Sequence, residues 1–142
     1  WHEDCITGLS YLHGLEIKSY AHELTVNIRK TQGLPVPQNS FQDSLVLQLK
    51  DKEMVVRYFG AGHTLDNTVA WIPSEKILFG GCMVKDLKAN GLGNITDASL
   101  KDWPVTLEKV WNEYKEANLV IPGHGAAGNS DLLLHSIALL KK

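Results

Sequence analysis

Apolar residues recur with two different periods along this chain. Ile6, Leu9 and Leu12 share one face at helical spacing, so residues 5 to 13 are expected to form a helix that Gly14 ends. Glu16 to Tyr20 reads as a short strand. Leu24, Val26 and Ile28 alternate as in a strand, whereas Glu23, Arg29, Lys30 and a stop at Gly33 suit a helix, and the pattern leaves both open. Leu34-Pro35-Val36-Pro37 is then a rigid extended connection, because proline biases its predecessor away from the helical region.

From Leu45 the period is two. Leu45, Leu47 and Leu49 alternate with polar partners, Lys50-Asp51-Lys52 suits a hairpin turn, and Met54 to Phe59 returns. Thr68 to Ile72 and Lys76 to Phe79 are two further strands, joined by Pro73-Ser74-Glu75. An amphipathic helix is expected from Pro104 to about Lys115, with Leu107, Val110, Trp111 and Tyr114 on one face. Leu119 to Ile121 is a short buried strand, and a helix capped by Asn129 or Ser130 closes the chain. Helices, then strands, then helix, strand and helix predict an α/β (α+β) fold in which helices cover a mixed or mostly antiparallel sheet.

Composition narrows the picture only a little. The 142 residues amount to one domain, 44% apolar and 21% charged, with a net charge of -2. That charge offers no electrostatic footprint for nucleic acid, and no apolar run has the length of a membrane span. The residues open in the middle of a motif, so the lack of a signal-peptide pattern among them says little about compartment, and no repeat or linker divides them.

The candidate chemistry lies where strands hand over to glycine-rich turns. Gly62-His63-Thr64, Gly80-Gly81-Cys82 and Pro122-Gly123-His124-Gly125 each place a nitrogen or sulfur ligand there. The chain opens on Trp1-His2-Glu3-Asp4-Cys5, whose imidazole and carboxylate point the same way in an extended backbone and diverge in a turn. Asp4 also competes as the cap of the first helix. His2, Asp4, His63, Cys82 and His124 form a donor set suited to zinc. One tetrahedral structural site would leave a ligand unused, while two neighbouring ions would use them all. Cys5 is read as a packing or supporting thiol, although a disulfide with Cys82 is also open. His13, His22 and His135 lack such turns and are read as surface or packing residues.

These stretches, with Asp66-Asn67, Lys85 and Gly93-Asn94, resemble the metallo-β-lactamases, and within them the di-zinc subclass with a cysteine ligand. The similarity covers essentially the whole chain. Relatives such as glyoxalase II and zinc-dependent nucleases usually carry His and Asp where this chain has Cys5 and Cys82. The resemblance implies that His2 and His63 bind a first zinc, and Asp4, Cys82 and His124 a second. Lys85 would anchor the substrate carboxylate, and Asn94 would lie near the lactam carbonyl. A metal-bound hydroxide oriented by Asp4 would open the β-lactam ring, the route to antibiotic resistance. The small-molecule substrate and the periplasmic location come from the resemblance alone.

The family pattern is His-x-His-x-Asp, whose first histidine would precede Trp1. The resemblance therefore implies one partial domain, residues 1–142. It would carry roughly the C-terminal half of an αββα sandwich plus helices of the first half. Such a piece is expected to hold one or two zincs, to be poorly active by itself and to self-associate. Two other functions suit the same residues: a superfamily hydrolase acting on a thioester or phosphodiester, and a non-catalytic zinc-binding fragment.

Overall fold

A computed structural model describes all 142 residues. They form two compact units, residues 1–43 and 44–142.

In the first unit the expected helix at 5 to 13 is two short ones, α1 (Glu3–Ile6) and α2 (Leu9–Gly14). Gly8 interrupts them, because glycine contributes nothing to hold a helical backbone. Asp4 therefore lies inside α1, and His2 takes the cap position in its place. Glu16 adopts a positive φ of 59° after α2, so the strand expected from residue 16 begins only at Tyr20. β1 (Tyr20–His22) pairs in parallel with β2 (Asn39–Phe41). Between them the open segment is a helix, α3 (Glu23–Thr31), whose first turn is capped by His22 Nδ1 accepting from the Leu24 N–H at 3.2 Å. Arg29, near its end, is buried; it donates through Nε to the Pro35 carbonyl and through Nη1 to Glu3 Oε1 at 2.6 Å.

The second unit is a five-stranded sheet in the order β3-β4-β5-β6-β7, with β3 (Ser44–Leu49), β4 (Lys52–Tyr58), β5 (Thr68–Ile72), β6 (Ile77–Gly81) and β7 (Leu119–Pro122). Every pair is antiparallel except β6 and β7, which run parallel. Their crossover contains α4 (Trp103–Tyr114), and α5 (Asp131–Leu140) follows β7. Ser130 takes the cap position of α5 without a side-chain cap bond, and Asn129 Oδ1 just before it accepts the Asp131 N–H at 3.0 Å.

The period-two pattern decides which sheet face is covered. Val69, Leu78 and Val120 pack with Leu107, Val110 and Tyr114 of α4 and Leu132, Leu133 and Ile137 of α5 into one core. Phe79, the neighbour of Leu78 on the opposite face, is 48% exposed. No helix is long and apolar enough to cross a membrane.

Candidate metal centre

Cys82 follows β6 directly, and the last turn of that strand is built to present it. The β6–β7 register shifts between Phe79 and Gly81. Such an irregularity bends a strand and re-aims the residues beyond it. Gly81 has φ 59°, and Gly80 abuts the Val84 side chain so closely that a Cβ would collide with it. Beyond Cys82, the Val84 N–H returns to the Gly81 carbonyl at 3.0 Å, which closes the turn.

His124 leaves the end of the adjoining strand β7. The Gly123 N–H donates to the Gly81 carbonyl at 2.7 Å, which ties the two strand ends together. The Cys82 sulfur and a His124 ring nitrogen lie within 4.8 Å of one another. Gly125, with φ 90°, packs directly against the Asp86 carboxylate, and the Ala126 N–H points to the same group at 3.4 Å.

His63 sits in the loop between β4 and β5 and is buried. Several bonds fix this loop. Thr106 of α4 donates to the Ala61 carbonyl at 2.7 Å, and the Ser99 N–H donates to the Gly62 carbonyl at 2.8 Å. Asn67 accepts the Thr64 N–H and donates to the Thr64 hydroxyl, both at 2.9 Å. The His63 ring meets Trp103 edge to face, with centroids 5.5 Å apart.

Lys85 is not the fully solvated loop lysine that its spacing alone allows. It is half-buried, and its ammonium lies 5.5 Å over the Trp103 ring. Burial lowers its pKa, while the nearby Cys82 pushes the other way. Its peptide N–H donates to the buried Ser136 hydroxyl at 2.8 Å. Asn94 is exposed. Its Oδ1 accepts from the Thr96 N–H at 3.0 Å and from the Thr96 hydroxyl at 2.8 Å, so the amide nitrogen is the end left to donate elsewhere.

His2 and Asp4 belong to the first unit. The backbone there is extended at His2 and helical from Glu3. Between them Glu3 is held by Arg29 and by the Thr7 hydroxyl at 3.1 Å, and these bonds keep its carboxyl below the usual range. Cys5 is exposed on α1, not packed, and neither cysteine is in a disulfide. Among the other histidines, His13 bonds Ser19 at 2.7 Å, His22 caps α3, and His135 bonds the Ala89 carbonyl at 2.9 Å.

Sequence reasoning missed Trp103 and Ser136, which touch the candidate residues without resembling them in chemistry. Ser136 left one legible signal: a small polar residue among Leu132, Leu133, Ile137 and Leu139 on the buried side of α5.

No family model matches the chain. Individual relatives do. It is 47% identical over 136 residues to the type 2 metallo-β-lactamase of Bacteroides fragilis, a match covering 96% of this chain and 55% of that protein. Against the type 2 metallo-β-lactamase of Bacillus cereus the figures are 39% over 140 residues, covering 99% and 55%. The chain thus spans about half the length of the curated relatives it matches. Among solved structures, a metallo-β-lactamase from Pontibacter korlensis superimposes with a TM-score of 0.96 at 36% identity, covering all of this chain and 66% of that one. The DIM-1 metallo-β-lactamase gives a TM-score of 0.92 at 37% identity, covering 99% and 65%. By sequence and by fold, the chain belongs with the metallo-β-lactamases.

Proposed function

We propose that this chain is the part of a zinc-dependent β-lactam hydrolase that carries its thiolate metal site and its substrate anchor. The observation that carries the reading is the approach of Cys82 and His124 to within 4.8 Å at the ends of two adjoining parallel strands. A thiolate and an imidazole suit zinc, and a glycine at 123 clears the space beside the sulfur. The family resemblance would add Asp4 to that site and give His2 and His63 to a second ion. Zinc, when bound, lowers the pKa of water from about 16 to near 7 and polarises a carbonyl.

The chain's own side chains do the rest. Lys85 draws in the substrate carboxylate with a charge that its half-buried position leaves poorly solvated. Asn94, its carbonyl end occupied by Thr96, donates from its nitrogen to the lactam oxygen as negative charge develops there. The Asp4 carboxylate would also orient the attacking water.

Catalytic zinc sites normally have three protein ligands. Asp4, Cys82 and His124 would supply three such ligands to one ion, and His2 and His63 would supply two to the other. Exposed apolar residues of the first unit, Tyr11, Leu15 and Ile17, favour self-association of the chain.

The test is a substrate panel on the full-length protein that contains this chain: a chromogenic β-lactam beside a thioester and a phosphodiester. Zinc-dependent turnover of the lactam alone is the expected result. Turnover confined to either of the others would replace the reading. Metal analysis and light scattering on the 142-residue chain test the zinc content and the association.

A further inference from the structure

Trp103, the first residue of α4, is fully buried, yet it does more than fill the core. Its indole N–H donates to the Met83 carbonyl at 3.1 Å, one residue beyond Cys82. Its ring meets the His63 imidazole at 5.5 Å with an interplanar angle of 64°. The Lys85 ammonium lies over the same ring at 5.5 Å. The backbone adds a further tie, because the Trp103 N–H donates to the Ser99 carbonyl at 2.9 Å and the Ser99 N–H to the Gly62 carbonyl at 2.8 Å. A tryptophan that only occupied volume would need apolar walls and any acceptor for its N–H. This one takes its acceptor from the Cys82 turn and its edge contact from the His63 loop.

We infer that Trp103 is a positioning residue that sets the Cys82 turn and the His63 loop in register for metal binding. The inference rests on the metal-centre reading above. One rigid side chain touches both loops, so neither can shift without disturbing the indole. A metal site gains affinity when its ligands are already placed before the ion arrives, and the residues behind the ligands do that placing.

The experiment uses the 142-residue chain and cobalt(II), whose thiolate charge-transfer absorption reports Cys82 and whose titration reports affinity. Trp103→Phe keeps a ring and removes the N–H. It should weaken cobalt binding about three- to tenfold, the change that one hydrogen bond supports, and diminish the thiolate band. Leu107→Ala, in the same helix and equally buried, is the control. It should lower the melting temperature and leave the cobalt affinity and the band as they were. If Trp103→Phe does not fold, an analogue in which sulfur replaces the indole N–H keeps the shape and should show the same loss.

Wild-type cobalt binding in the ring or sulfur variant overturns the inference, and so does an equal loss of affinity in Leu107→Ala. Absence of any thiolate band in the unmutated chain overturns the metal-centre reading itself, and the inference with it.

Discussion

Gly123 lies so close to Cys82 that a Cβ on it would fall 2.5 Å from both the sulfur and the peptide nitrogen of that cysteine. Neither can move away cheaply, because the Gly123 N–H is also bonded to Gly81 at 2.7 Å. Gly123→Ala should therefore push the two strand ends apart. The expected cost is about 1–3 kcal/mol of stability, read by chemical denaturation, together with a weaker thiolate–cobalt band. An unchanged band would mean that the strand ends tolerate separation.

Cys82→Ser replaces a soft thiolate with a hydroxyl that is a poor zinc ligand. Competition with a chelator should show one zinc lost far more easily and the other little affected. Equal weakening of both would remove Cys82 from a distinct second site.

Lys85 supplies a pH test. Burial lowers its pKa from 10.5, so the folded state releases the proton before the unfolded chain does. Between those two values the unfolded state binds more protons, and stability rises with pH. At neutral pH the buried charge is a cost. Lys85→Met should melt above the wild type at pH 7, with the advantage shrinking as the pH climbs toward 10.5. On the proposed function, the same change in the full-length protein should raise KM for carboxylate-bearing lactams, the lost contact being worth about 1.5–3 kcal/mol.

Ser136→Ala removes the acceptor of the Lys85 peptide N–H from a fully buried position. A stranded buried donor costs about 1–3 kcal/mol. Ser136→Thr, which keeps the hydroxyl, should recover part of that loss if the extra methyl fits. Thermal melts of the two variants separate the hydrogen bond from packing.

Much of the second unit could be read from alternation, because its strands bury one face and a period of two leaves little choice of register. β3 to β7 fall within a few residues of their expected bounds, and the turn at Lys50 is where the pattern puts it. The first unit was harder. Gly8 breaks a helix that periodicity continues, and Glu16 at positive φ delays a strand. His22, an uncommon cap, closes the first turn of the helix at residues 23 to 31, and apolar spacing carries no sign of it. The strand-end turns that carry His63, Cys82 and His124 were legible from their glycines. Trp103 was not, since an aromatic residue at a helix start carries no mark of the loops it will touch.

The parallel pairing of β6 with β7 bears on how the chain folds. Cys82 and His124 meet only when the whole crossover between their strands, α4 included, has closed on the sheet. Contacts so distant in sequence form slowly, after loop-closure entropy has been overcome. An ion bound between them would report completion of the crossover. Adding metal should therefore slow unfolding of the chain far more than it speeds refolding, and its removal should open this crossover ahead of the β3–β4 hairpin.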